Sequence, residues 1–223
     1  MQTNYANHDH AYQKFERDGT IGWDGSGQAY FDRQVLLVPV LEGPHAPKTG
    51  RLLELGCGAG NMTLWFAARG FTAHGVDIAP TAIAMAKRHA EECRLLATFT
   101  VGNVVELNDY SPAPFDFVLD GHVLHCIIGA DRARFLNNAF RLTRPGGYFL
   151  IDTMCQPMHR PDQVPFYDPS SRCTIYNGAA TRYWGTVAEI EAEARAAGFQ
   201  VLGHRVNPDE INDNVLMECL RPA

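Results

Sequence analysis

Between Arg51 and Ile151, short apolar runs alternate with segments whose apolar residues recur at helical spacing. The runs Arg51–Leu55, Thr72–Val76, Thr98–Val101, Phe115–Leu119 and Tyr148–Ile151 predict five strands. Those around Leu52 and Val118 are continuous rather than alternating, as in strands covered on both faces. Between them, a helix over Asn61–Arg69 is stopped by Gly70, the residue helices favour just past their ends. Pro80 opens the next helix at its first turn, where a missing N–H costs nothing, with Ala82, Ile83, Ala86 and Ala90 facing inward. A third helix carries Phe135, Leu136, Ala139, Phe140 and Leu142, with Asp131 expected as its N-cap. Arg144-Pro145-Gly146-Gly147 then turns the chain into the fifth strand.

Outside that stretch the pattern changes. A helix over Gln28–Leu41 is expected to bury Tyr30, Phe31, Val35, Leu37, Val38 and Leu41, with Pro39 its weak point. Gly43-Pro44-His45-Ala46-Pro47 breaks the chain after it. Residues 153–183 hold several prolines and aromatics with little periodicity, and read as a long excursion rather than a scaffold element. Thr186 is positioned to cap a helix ending at Gly198, and Phe199–Val206 and Asn214–Leu220 read as two last strands joined by a polar turn over Pro208–Asp213. The fold class is therefore α/β: a doubly wound, Rossmann-like seven-stranded sheet, parallel except for a C-terminal antiparallel hairpin strand. The expected organisation is a single domain over 1–223. Its parts are an N-terminal cap (1–45), a cofactor-binding core (50–152), a cap insertion (153–183) and a C-terminal helix and strand pair (184–223). Such sheets bind ligands at the carboxyl ends of their strands, where strand order reverses.

Composition narrows the partners. With 223 residues, 46% of them apolar, there is material for a sizeable core. A net charge of -6 argues against a nucleic-acid footprint, and no apolar run is long enough to span a membrane. Residues 1–9 are polar, without the basic-then-apolar pattern of a signal peptide. The six cysteines include no CxxC pair, so the expectation is a cytoplasmic protein with reduced thiols.

The chemistry starts at Leu52-Leu53-Glu54-Leu55-Gly56-Cys57-Gly58-Ala59-Gly60, an apolar strand running into a glycine-rich turn before a helix. Alternate glycines let backbone approach a ligand closely, and the helix N-terminus supplies free N–H groups. A nicotinamide dinucleotide would require a third glycine where Asn61 stands, and its pyrophosphate would sit badly beside Glu54. Asp77 is an acidic residue that closes the second strand. Cys57 reads as a small filler of the turn, since no His or Lys adjoins it in sequence.

Glu54-x-Gly56-x-Gly58-x-Gly60, Asp77, Gly102-Asn103, Asp120 and Arg144-Pro145-Gly146-Gly147, in this order and register, resemble the class I S-adenosylmethionine-dependent methyltransferases, small-molecule type. The resemblance covers about residues 50–152 and continues into the terminal strand pair. It implies S-adenosyl-L-methionine as cofactor, with Gly56, Cys57, Gly58 and Gly60 wrapping its methionine end and Glu54 oriented on the turn or its ammonium group. Asp77 would hold the ribose and Ile78 the adenine face. Asn103, with Val104 beside it, stands where relatives carry an aspartate for the adenine amino group, and the backbone of Asp120 and Gly121 would face the sulfonium.

Transfer then requires an in-line nucleophile and, for a hydroxyl, thiol or protonated amine, a base. His122 and His125, just after the fourth strand, are the candidates, His125 weighed also as a packing residue. Cys155, His159, Asp162, Tyr167, Asp168, Cys173, Tyr176, Tyr183 and Trp184 furnish a second set in the excursion. Together with the N-terminal aromatics they would make an aromatic-lined pocket for a small-molecule acceptor. Cys126, Cys155, Cys173 and His159 are an alternative soft-metal set whose spacing matches no zinc pattern, and no metal is expected. The expected activity is methyl transfer to O, N or S of a small molecule. The alternatives are a nicotinamide-dependent oxidoreductase and a non-catalytic S-adenosylmethionine-binding protein.

Overall fold

The computed structural model describes residues 3–24, 28–107, 110, 113–208 and 212–223, without the side chains of 24, 28–33 and 212. In chain order its elements are α1 (His8–Asp18), α2 (Gln28–Glu42), β1 (Gly50–Leu55), α3 (Asn61–Ala67), β2 (Phe71–Asp77), α4 (Pro80–Cys93), β3 (Ala97–Val101) and β4 (Phe115–Asp120). There follow α5 (Asp131–Leu142), β5 (Thr143–Met158), β6 (Tyr167–Asp168), β7 (Cys173–Tyr176), β8 (Ala179–Tyr183), α6 (Val187–Ala196), β9 (Gln200–Asn207) and β10 (Asn212–Leu220).

Seven strands form one sheet in the order β3-β2-β1-β4-β5-β10-β9. Pairing is parallel from β3 through β5, and β10 inserts antiparallel between β5 and β9. Successive residues of the continuous apolar runs explain themselves here. Leu53, Leu55, Val118, Phe149 and Ile151 join the core under α5 and α6, while Leu52, Phe117, Leu119, Tyr148 and Leu150 join the core under α2 and α3. Period-two alternation puts neighbours on opposite faces, so a strand covered twice is apolar throughout. Strand order reverses between β1 and β4, which opens a crevice above their carboxyl ends.

Three expectations are corrected. Ala130, not Asp131, is the N-cap of α5; Asp131 lies in the first turn, where its carboxylate accepts from the Tyr5 hydroxyl at 3.0 Å and favours the helix dipole. The fifth strand is far longer than Tyr148–Ile151, because β10 pairs with it from Tyr148 to Met158. The excursion is also not structureless: its first residues extend β5, and β6, β7 and β8 build a small antiparallel sheet. Short strands with Pro and Gly between them leave little periodicity to read. Thr186 does cap α6, in a reciprocal capping box with Glu189. The expected burial of Tyr30 and Phe31 and the turn at 209–211 lie outside the described residues. Among the described residues no helix is long and apolar enough to cross a membrane.

Candidate active site

The glycine turn is built by close contacts that side chains would prevent. Gly56 and Cys57 both donate their N–H to the Val76 carbonyl, at 2.7 and 3.0 Å, tying the end of β1 to β2. Gly121 donates to the Leu55 carbonyl at 2.8 Å, tying it to β4. A Cβ on Gly121 would stand 2.6 Å from the Gly56 carbonyl oxygen and 2.7 Å from that of Leu55, so only glycine allows the two strand ends to meet. Gly58, at φ 51°, runs directly beneath the Tyr12 ring of α1, where a Cβ would stand 2.3 Å from the Tyr12 hydroxyl.

Asp77 anchors the turn from the next strand. One carboxylate oxygen accepts from the Gly58 N–H at 2.8 Å, the other from Ala79 at 2.9 Å. Burial pushes its pKa up, against the lowering pull of these backbone donors. The Ile78 backbone is a third donor toward this carboxylate, and Asp77 lines the cleft above the turn. Glu54, only 2% exposed, accepts from the Thr63 hydroxyl at 2.5 Å and so is held by α3.

Above these groups lies a cleft of about 550 Å³. Of the residues singled out from sequence, Glu54, Gly56, Cys57, Gly58, Asp77, Ile78, Asn103, Val104, Gly121, His122 and His125 line it. Asn103 spends one lone pair of its side-chain oxygen on the Val105 N–H at 3.1 Å. Two residues stand apart from the lining. Gly60 serves packing instead, because a Cβ there would strike Ala86 and Phe99 at 2.8 and 2.9 Å. The Asp120 carboxylate turns back to accept from Val123 and Leu124 at 2.8 and 3.2 Å, shaping the loop after β4. The Cys57 thiol is packed where a Cβ on Gly75 would be, and its pKa is raised well above the ordinary value, chiefly by burial. It is a filler.

That loop presents the two histidines. His122 sits at φ 66°, a left-handed conformation uncommon for a residue with a side chain. Its Nδ1 lies 3.4 Å from Asp152 Oδ1 within β5, and its ring meets that of His125 edge-on at 4.7 Å. His125 is 4% exposed, with its backbone N–H donating to the Thr153 hydroxyl at 2.9 Å and Nδ1 3.3 Å from the same oxygen. Burial first, then the charges of His122 and Arg182, hold its pKa well below 6.5. His8 of α1 is lowered by burial and by Arg182 in the same way. A folded-state pKa below the unfolded one means that the unfolded chain binds more protons just below pH 6.5. Stability is therefore present above about pH 6.5 and lost as pH falls from there, before most carboxylates titrate. The unfolding midpoint is expected to drop between about pH 6.5 and 5 in a thermal series, and a flat profile would contradict the burial of these rings.

Sequence reasoning missed Asp152, Arg182, His8 and Asn214, all of which line the cleft. Asp152 closes the predicted fifth strand as Asp77 and Asp120 close theirs, and that repetition was the available signal. Of the N-terminal aromatics, Tyr5, Tyr12 and Trp23 line the cleft; Tyr12, Phe15 and Trp23 pack edge-to-face at 5.0 to 6.4 Å. None of the excursion's aromatics does. Trp184 is fully buried, Tyr183 lies under the Arg132 guanidinium, and Tyr176 pairs with Phe166 elsewhere. Among the described residues no three of Cys126, Cys155, Cys173 and His159 gather into a metal-binding group.

A family model described as a methyltransferase domain matches residues 53–151. The 2-heptyl-1-hydroxyquinolin-4(1H)-one methyltransferase of Mycobacteroides abscessus is 30% identical over 158 residues, covering 68% of this chain and 66% of that protein. The ubiquinone biosynthesis O-methyltransferase of Azorhizobium caulinodans is 31% identical over 163 residues, covering 68% of this chain and 59% of that protein. The chain thus spans slightly less than two thirds of the length of these relatives. A crystal structure of Burkholderia thailandensis 1,6-didemethyltoxoflavin-N1-methyltransferase, with bound 1,6-didemethyltoxoflavin and S-adenosylhomocysteine, matches at a TM-score of 0.71. It is 20% identical, and the match covers 96% of this chain and 87% of that one. At that identity the likeness concerns the fold.

Proposed function

We infer the reaction from one premise: this chain belongs to the class I S-adenosylmethionine-dependent methyltransferases, and S-adenosyl-L-methionine is its cofactor. The proposed activity is transfer of a methyl group to an oxygen, nitrogen or sulfur atom of a small-molecule acceptor. The observation that carries it is the His122–Asp152 pair at 3.4 Å, lining the same cleft as the glycine turn.

The residues fit the cofactor. A turn that tolerates no Cβ at Gly56, where Val123 would be struck at 2.9 Å, leaves backbone alone facing the methionine end. Asp77 offers lone pairs to the ribose, Ile78 and Val104 apolar surface to the adenine, and the Asn103 side chain an acceptor for its amino group. When bound, the cofactor supplies a methyl group made electrophilic by its sulfonium. The chain's own task is to orient an acceptor and take its proton. Asp152 fixes the His122 ring through Nδ1, which leaves Nε2 to receive a proton from the acceptor atom as that atom forms its new bond to carbon. His125, neutral and buried, closes the wall behind His122. Tyr5, Tyr12 and Trp23 from the N-terminal segment act as the cap over this space and exclude water.

The quinolone and ubiquinone-biosynthesis methyltransferases among its relatives support this class of substrate. The oxidoreductase alternative falls with the cofactor assignment. The test is an acceptor screen read by S-adenosylhomocysteine release, preceded by titration of the protein with S-adenosylhomocysteine. Binding of S-adenosylhomocysteine without a thermal shift from NAD(H), followed by turnover of a small molecule, is the expected result. Failure of S-adenosylhomocysteine to bind would overturn the reading.

A further inference from the structure

Arg182 of β8 stands out among the arginines of this half of the molecule. Arg132 is paired with Glu193, Arg172 with Glu189 and Arg160 with Asp162, each through the guanidinium. Arg182 has no carboxylate within ion-pair distance among the described residues, and its buried Nε–H has no hydrogen-bond acceptor. It nevertheless lines the cleft that holds His122 and Asp152, and also the adjoining cleft beneath β7 and β8. A charged donor left without an acceptor in a partly desolvated wall is costly, and an acceptor on a bound ligand would remove that cost.

We propose that Arg182 anchors a planar oxyanion on the acceptor, a carboxylate or an ionised ring oxygen, in the wall of the cleft facing His122. This deepens the methyltransferase reading and rests on it. A guanidinium meets a carboxylate through parallel N–H donors in a fixed plane, so it orients a flat ligand as well as holding it. Its surroundings favour an incoming anion rather than a second cation. His8 and His125, which feel the Arg182 charge, are held toward their neutral forms, so of these three side chains Arg182 is the one that carries the positive charge. Of the carboxylates lining this cleft, Asp152 is engaged by His122, Asp77 by the Gly58 and Ala79 N–H groups and Glu54 by the Thr63 hydroxyl. Cys126 beside them is a buried thiol whose pKa is pushed up to about 11, so it too is uncharged. Sequence spacing could not show this, since Arg182 comes from the small sheet and the histidines from α1 and the loop after β4.

The test uses the full chain saturated with S-adenosylhomocysteine and titrated calorimetrically with three probes. Salicylate carries a carboxylate, salicylamide is its neutral amide, and 4-nitrophenol above its pKa carries an ionised ring oxygen alone. At least one of the two anions is expected to bind about tenfold or more tightly than salicylamide, and which one does so identifies the oxyanion. In Arg182→Gln that preference should vanish, and in Arg182→Lys it should be partly kept, with thermal unfolding checking that both variants are folded. Equal binding of all three probes, no binding of either anion, or a preference that survives in Arg182→Gln overturns the assignment. A wild type that does not bind S-adenosylhomocysteine fails at the first step, and then it is the methyltransferase reading that has failed.

Discussion

Asp77→Ala is expected to weaken S-adenosylhomocysteine binding by about 100-fold, or roughly 2.7 kcal/mol, measured by isothermal titration. Two contributions add. In the proposed site the carboxylate accepts both ribose hydroxyls, and hydrogen bonds to a charged acceptor are each worth about 1.5–3 kcal/mol. It also holds the Gly58 and Ala79 N–H groups at 2.8 and 2.9 Å, so its loss loosens the turn before any ligand arrives. Asp77→Asn removes the charge without removing the side chain. The amide keeps one acceptor oxygen but directs an NH₂ at a backbone N–H, so it should lose nearly as much affinity while remaining the same size. An Asp77→Ala protein that binds as the wild type does would remove Asp77 from the cofactor site.

His122→Ala is expected to lower kcat by about 10²–10³, the range for losing a positioned general base, with S-adenosylhomocysteine affinity changed less than about threefold. The direction follows from where the residue stands. His122 is paired with Asp152 rather than with the glycine turn, so removing it strips the acceptor side of a proton acceptor and leaves the Asp77 side whole. Asp152→Asn should lose less, about tenfold, because the base survives but its ring is no longer held by a carboxylate. Partial recovery of His122→Ala turnover with added imidazole would separate proton transfer from packing. Unchanged kcat in His122→Ala would show that the acceptor reaches the reaction already deprotonated.

Much of the scaffold was readable because its causes are local. Continuous apolar runs at Leu52 and Val118, glycines just after helices, Pro80 at a first turn and the Thr186 N-cap each act within a few residues, and each appears where expected. Where local signals competed, the reading slipped. Asp131 has the chemistry of an N-cap, yet the Tyr5 hydroxyl claims its carboxylate from 126 residues away and Ala130 takes the cap. The length of β5 was hidden for a similar reason, since it depends on β10, far downstream, supplying hydrogen bonds as far as Met158.

The same division runs through the candidate site. The half proposed to face the cofactor depends on one strand-turn-helix unit and on strand ends at Asp77, Asn103 and Gly121, all positions a strand's end determines locally, so the sequence by itself determined the glycine turn, its acidic partner and the fold class they imply. The half proposed to face the acceptor is assembled from His8 on α1, His122 after β4, Asp152 on β5, Arg182 on β8 and Asn214 on β10, which line one cleft. No spacing joins these residues. Only the tertiary structure decided that they share one cleft, because the insertion of β10 beside β5 and the folding of α1 over the turn are long-range pairings that no local pattern encodes.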